Sequence, residues 1–258
     1  SVFHPEVLRR SLLGKHAVFH LSANPEARRG LDDTGLDVQQ GTLATHAVLE
    51  AMRLGGVKHL VLASSGTVYG NSSRPCGEAD LGALPVSLYG ASKLASEALV
   101  SAHVECFGLM AWIFRLGNVI GPRATHGAAF DFLRQLKHNP LELRVLGDGN
   151  QSKPYVYVED CVDALLFGFE HAAQPLNIYN VAPYDATPVS SVAELCVACS
   201  PGPRARIVYT GGKRGWPGDV PQSRLNATRL TELGYTLPRT SDQAVKHGVP
   251  LLAREVFS

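Results

Sequence analysis

The strongest constraint on the fold is a strand signal that runs into a small-residue turn and then, after a loop, into a long helix. Residues 57–63, Val-Lys-His-Leu-Val-Leu-Ala, form a short apolar run that ends in Ser64-Ser65-Gly66. Such a run is a strand buried in a parallel sheet, and open α/β sheets bind their ligands at the carboxyl edge. From Tyr89 the pattern turns helical: Leu94, Ala98, Val100 and Val104 recur at helix-like spacing up to Phe107, and Gly108 suits a stop.

Tyr89 and Lys93 then lie one turn apart on one helix face. A free tyrosine, with a pKa near ~10, is a poor base at neutral pH. A cation one turn away is expected to favour the phenolate, the tuning that general-base catalysis needs. Taken alone, Tyr-x-x-x-Lys is most often an exposed helix pair, so other segments must decide.

Those segments are Val18-Phe19-His20-Leu21-Ser22-Ala23-Asn24, Ser65 with Val68-Tyr69-Gly70, the run from Arg115 to Arg123 with Gly117-Asn118-Val119, Gly147-Asp148-Gly149-Asn150-Gln151, Tyr157-Val158-Glu159-Asp160 and Pro217-Gly218-Asp219. Together with Tyr89 and Lys93 they resemble, in order and over nearly the whole chain, the extended short-chain dehydrogenase/reductase family. The resemblance is nearest to its UDP-glucose 4-epimerase-like branch.

The resemblance implies a Rossmann-like, doubly wound parallel sheet with a smaller C-terminal substrate-binding lobe, and NAD as cofactor. It places catalysis on Ser65, Tyr89 and Lys93, and cofactor contacts on Leu21, Ser22, Ala23, Ser64, Tyr89 and Lys93. Substrate contacts fall on Ser65, Asn118, Lys153, Arg214 and Asp219, the substrate being a nucleotide-sugar of the UDP-hexose type. It also implies a homodimer built on the helices expected over 36–53 and 89–107. The dinucleotide-binding domain is expected over 1–123 and the lobe mainly over 124–258, with segments near 155–181 returning to the main sheet.

The chain departs from the family pattern at several points. It has no Gly-x-x-Gly-x-x-Gly turn to hold the NAD pyrophosphate, and residues 1–5 read as the end of the family's third strand. The N-terminal strands of the fold are therefore expected to be missing from this sequence, since a doubly wound sheet without them would expose an inner strand as a bare edge. His4 stands where an aspartate usually approaches the adenine. Gly41 aligns with an asparagine that supports the active site, although glycine offers no side-chain hydrogen bond and lowers helix propensity. Lys153 replaces an arginine, as a point cation in place of a fork, and Trp216 occupies the usual arginine position near Asp219, leaving Arg214 as the nearest substitute.

The remaining elements follow an alternating β/α pattern. A helix is expected over 6–13, a strand over 17–23 and a helix over 36–53 ending at Gly55-Gly56; a proline-bearing loop at 71–85 then precedes the Tyr89 helix, and 110–116 is a strand. Beyond Arg123 follow an amphipathic helix through Lys137, a strand over 155–158, a helix over 159–169 and strands at 176–181 and 207–209. Helices are expected from about Ser190, over 226–233 and at the end.

With 18% charged residues and a net charge of +1, the composition offers no polyanion-binding surface, so nucleic acid is not an expected partner. No apolar run reaches the length of a membrane span and the start carries no signal segment, so no membrane partner and a cytoplasmic location are expected. The 5 cysteines lack framework spacing, which fits reduced thiols. Cys196-x-x-Cys199 has no second pair and sits in an apolar periodic stretch, which favours core packing in a helix; no metal is expected.

Related dehydratases carry an acidic pair, and related decarboxylases a glutamate, just after the catalytic Ser or Thr, where this chain has Gly66 and Thr67. Epimerisation is therefore favoured over dehydration, with reduction third. A nucleotide-sugar-binding protein without turnover is the alternative from another class.

Overall fold

A computed structural model describes residue 3, residues 5–80 and residues 83–258. The strand end expected over residues 1–5, and with it His4, falls outside the described residues apart from Phe3 in a turn and Pro5, which opens helix α1 (Pro5–Leu12). A four-stranded, wholly parallel sheet carries the fold: β1 (Ala17–His20), β2 (His59–Ser65), β3 (Met110–Leu116) and β8 (Leu176–Val181), in that spatial order. Helix α2 (Ala44–Gly55) and helix α3 (Leu88–Phe107) cross over on one face, and α5 (Val158–His171) on the other.

Alternation along the strands sorts the core into two layers. Leu60, Leu62, Ala111 and Ile113 pack with Val48, Leu49 and Met52 of α2 and Val100 and Val104 of α3. Val61, Trp112 and Phe114 face the opposite way, against Cys161, Ala164 and Leu165 of α5. Side chains of successive strand residues point to opposite faces, so a strand covered on both sides reads as a continuous apolar run. That is why β2 and β3 were legible without alternation.

Two helix ends follow from glycine. Gly108 takes φ +62° and closes α3, and Gly56 takes φ +73° and closes α2; both dihedrals lie in the left-handed region that glycine enters without steric cost.

The helix expected over 36–53 is not regular. A π-helical turn, Val38–Leu43, precedes α2, and buried Gly41 lies inside it. A Cβ on Gly41 would stand 2.6 Å from Ser92 Oγ and 3.1 Å from Ser92 Cβ, so glycine lets this turn press against α3. The residue read from the sequence as a lost asparagine is thus a point of close helix approach.

A second departure lies at Gly117. The backbone N–H of Gly117 still donates to Val181 O of β8 at 2.9 Å, but that of Asn118 donates to Pro154 O at 2.8 Å. There the chain changes neighbours, and β4 (Asn118–Ile120) pairs with β7 (Tyr155–Tyr157) away from the main sheet. Of the stretch near 155–181 expected on the main sheet, only β8 joins it.

The C-terminal part builds its own core. Helices α4 (Ala128–His138), α6 (Val189–Cys199) and α8 (Ser241–Phe257) enclose β5 (Glu142–Val145) and β10 (Arg206–Tyr209), which pair in parallel. Strands β6 (Ser152–Lys153) and β9 (Thr187–Pro188) form an antiparallel pair, and α7 (Thr228–Glu232) returns Leu230 to the α5 side of the sheet. Cys196 is fully buried in this core, its thiol pushed up by burial, which agrees with the packing role. No described helix is long and apolar enough to cross a membrane.

Candidate active site

Strand β2 delivers Ser64 and Ser65 to the carboxyl edge of the sheet, and helix α3 starts over the same edge. Ser65 ends the strand in extended conformation and caps a 3-10 turn, Gly66–Tyr69: its Oγ accepts from Thr67 N at 3.2 Å and from Thr67 Oγ1 at 3.0 Å. Ser87 caps α3 in the same manner, accepting from Gly90 N at 3.1 Å, which fixes where Tyr89 and Lys93 emerge. The Lys93 Nζ lies 5.7 Å from the Tyr89 ring centroid and donates to Ala63 O of β2 at 2.7 Å. Ser65, Tyr89 and Lys93 are thus one cluster, in which the Ser65 hydroxyl acts to lower the pKa of the phenol.

The electrostatics of this cluster correct one expectation. Burial pushes the Tyr89 phenol up to about 12, the Ser65 hydrogen bond pulls it back, and the charge of Asp37 adds to the rise. The cation one turn away does not overcome desolvation. Burial instead pushes Lys93 down to about 8, against the opposing charges of Glu97 and Asp37. In the protein by itself, the lysine proton is therefore the first to leave as pH rises.

Beneath the cluster lies a buried network that sequence reasoning missed. Ser64 donates its hydroxyl to Glu97 Oε1, so its side chain serves this network and not the cleft. Arg115 of β3, 2% exposed, donates to Glu97 at 2.7 Å through Nη2, and through Nη1 to Tyr69 OH at 2.9 Å and Glu78 O at 3.0 Å. Tyr69 OH passes the chain on to Asn180 Oδ1 at 2.8 Å. Burial opposes the Arg115 charge, but its bonds with Glu97 and Tyr69 outweigh that and hold it protonated. The available signal was Glu97 itself, a charge one turn beyond Lys93 on the same face.

His20 closes the floor at the end of β1. It is buried, its Nε2 lies 3.1 Å from Thr45 Oγ1 and its Nδ1 3.4 Å from Ser22 Oγ, and Thr45 continues to Ser96 Oγ at 3.2 Å. Burial, aided by the Lys93 charge, pushes its pKa down to about 4. A depressed histidine binds fewer protons folded than unfolded, so stability is lost as pH falls from the unfolded value near ~6.5 towards 4. At roughly 1.4 kcal/mol per unit, this single group contributes about 3 kcal/mol to that loss. Urea titrations from pH 7 to 4 are expected to show a stability fall in the wild type that is reduced by this order in His20→Gln.

The other expected site residues are more dispersed. Leu21 and Ser22 are exposed just past β1, and Ala23 is half-buried. Asn118 is exposed at the start of β4. Lys153 does not stand as an open cation: its Nζ donates to Asp219 Oδ1 at 2.8 Å and to Val220 O. Asp219 in turn accepts from Gly215 N at 3.1 Å, so the two residues expected to touch substrate separately brace the glycine-rich loop 211–219 together. Arg214 in that loop is exposed and has no hydrogen-bond or ion-pair partner among the described residues.

A family model described as the NAD dependent epimerase/dehydratase family matches residues 5–182, well over half of the chain. The chain belongs to that family. The chain is 32% identical over 153 residues to the UDP-glucose 4-epimerase of Mycolicibacterium smegmatis, an alignment covering 58% of this chain and 49% of that protein. It is 29% identical over 172 residues to a probable UDP-glucuronate 4-epimerase of Rhizobium meliloti, covering 66% and 50%. These curated relatives of the family are thus matched over about half of their length. Among solved members of the family, a UDP-galactose 4-epimerase superposes with a TM-score of 0.84 at 35% identity, covering 96% of this chain and 82% of that one. The UDP-glucose 4-epimerase of Thermotoga maritima, solved with UDP-glucose, gives 0.87 at 26% identity, covering 100% and 84%.

Proposed function

We propose that the chain carries the reaction centre of an NAD-dependent UDP-hexose 4-epimerase, with Tyr89 as the proton-transferring group, Ser65 as its hydrogen-bonding companion and Lys93 as the cation beside them. The observation that carries this reading is the meeting of these three side chains at the carboxyl edge of β2 and the start of α3. Relatives whose names include UDP-glucose 4-epimerase support the choice of reaction.

The residues present fit the nicotinamide end of the cofactor. An ammonium has three N–H donors, and Lys93 uses one on Ala63 O, leaving the others for ribose hydroxyls. Leu21, Ser22 and Ala23 supply the adjacent wall. NAD, when bound, supplies a reversible hydride acceptor and a positive ring that favours the tyrosinate. Tyr89 then takes the proton of the hexose hydroxyl while Ser65 hydrogen-bonds the same oxygen, and Tyr89 returns the proton once the transient ketone has presented its other face.

Epimerisation is favoured over dehydration by the turn after Ser65. Gly66 carries no side chain that could serve as the extra acid, and the Thr67 hydroxyl is engaged with Ser65 at 3.0 Å. Arg214, with its guanidinium open, is the cation proposed for the substrate diphosphate, and Asn118 the amide at the strand end.

Incubation with NAD and UDP-glucose, UDP-galactose or their N-acetyl forms, followed by proton NMR of the anomeric signals, tests the reading. Interconversion of a 4-epimer pair without net consumption of NAD is the expected result. Folded protein with NAD bound that converts none of these sugars overturns it, and a 4-keto-6-deoxy product redirects it to dehydration.

A further inference from the structure

Of the two hydroxyls at the end of β2, that of Ser64 is turned away from the cleft, and its partners show what holds it there. The register of β2 and β3 places Ser64 directly opposite Arg115. Successive strand residues point to opposite faces, so these two continue the rows of Leu60 and Leu62 and of Ala111 and Ile113 that face α2 and α3. Both meet the same carboxylate. Ser64 Oγ donates to Glu97 Oε1, and Arg115 holds the two carboxylate oxygens through Nε at 3.1 and 3.2 Å and through Nη2 at 2.7 Å.

A second link joins the same strand end to the same helix face. Lys93, one turn before Glu97, donates to Ala63 O at 2.7 Å, so adjacent residues of β2 are gripped by side chains four apart on α3. The two links are not equivalent. Lys93 ends a flexible four-carbon stem and can follow a strand that slides. Glu97 cannot follow, because Arg115 is itself fixed by Tyr69 OH at 2.9 Å and Glu78 O at 3.0 Å, and Ser64, Glu97 and Arg115 are all buried. With Ser64 pinned towards α3, alternation turns the next side chain the other way. Ser65 Oγ is thereby placed to cap its turn, accepting from Thr67 N at 3.2 Å and Thr67 Oγ1 at 3.0 Å.

We propose that Ser64 is a positioning residue: its bond to Glu97 locks the register between the strand end that presents Ser65 and the helix that presents Tyr89 and Lys93. This gives the Ser64 side chain a role other than the cofactor contact expected from the resemblance. The lock stands on its own; its importance for turnover rests on the epimerase reading above.

The test is Ser64→Ala, read by amide hydrogen exchange in NMR and by steady-state kinetics. The Thr67 amide, bonded to Ser65 Oγ, reports the strand end, and the amides of Leu60, Val61 and Leu62 report the body of β2. In Ser64→Ala the Thr67 amide is expected to exchange at least about fivefold faster while the β2 amides stay within about twofold of wild type, because only the strand end is released. In turnover kcat is expected to fall about tenfold with KM for the UDP-sugar within about twofold, the pattern of a misplaced reacting group. Ser64→Cys, which keeps the size of the side chain but offers only a weak donor, is expected to move both readouts in the same direction. Ser64→Thr, which restores the hydroxyl on a side chain suited to a strand, is expected to return both towards wild type. An unchanged Thr67 rate in the alanine and cysteine variants overturns the proposal, as does a rise shared equally by the β2 amides, which is the mark of a merely structural hydroxyl. An unchanged kcat beside faster Thr67 exchange removes Ser64 from the positioning of the reaction. The exchange measurement needs neither NAD nor sugar: local release of Thr67 in a protein whose NAD-loaded wild type converts no UDP-sugar sustains the lock and counts against the epimerase reading alone.

Discussion

Tyr89→Phe is expected to lower kcat by about 10³-fold, within the range of 10² to 10⁴ typical of a general acid–base group, while binding of UDP stays within a factor of about two. The substitution removes one oxygen and keeps the ring, so the half-buried slot between α3 and β2 stays filled and the fold is not threatened. What is lost is the proton acceptor beside Ser65. Because burial pushes the free phenol up to about 12, the proposed reaction requires it to ionise within the loaded site, and phenylalanine offers no alternative route. The measurement is single-turnover conversion beside calorimetric titration with UDP. Turnover within tenfold of wild type would assign the proton transfer to another group.

The parts of this site that are local in the sequence were legible before the structure was known. The apolar run of β2, the helical spacing from Tyr89 and the stop at Gly108 each follow from a period or from one residue's conformational range. The parts that were not legible join residues far apart. Glu97 reads as a surface charge until Arg115 is placed across from it, Asp37 as an acid at the start of the helix expected over 36–53 until Asn24 and Gly30 close around it, and Gly41 as a lost asparagine until Ser92 is seen against it. Lys153 and Asp219 were each assigned to substrate by the resemblance, and 66 residues of separation hid their pairing. The strand switch at Gly117 was hidden for the same reason, since nothing in Gly-Asn-Val marks a change of partner from Val181 to Pro154. Periodicity reports which face of an element is buried; it does not report what lies opposite.

The buried pair below the site yields the largest expected stability effect. Arg115→Met keeps much of the apolar stem but removes the guanidinium, leaving the Glu97 carboxylate, 5% exposed, with only the Ser64 hydroxyl as a donor. Breaking a buried ion pair on one side costs about 3 to 5 kcal/mol, because the charge that remains is neither solvated nor matched. Tyr69 OH and Glu78 O lose a donor as well, which places the cost at the upper part of that range. A chain of this size is expected to melt roughly 10 °C lower. Adding Glu97→Gln removes the stranded charge and keeps an acceptor for Ser64, so the double variant is expected to recover about 2 kcal/mol of the loss despite carrying one more substitution. Urea denaturation of the wild type, both single variants and the double variant measures the coupling. If Arg115→Met alone costs less than about 1 kcal/mol, the network is solvated and does not anchor the strand that presents Ser65.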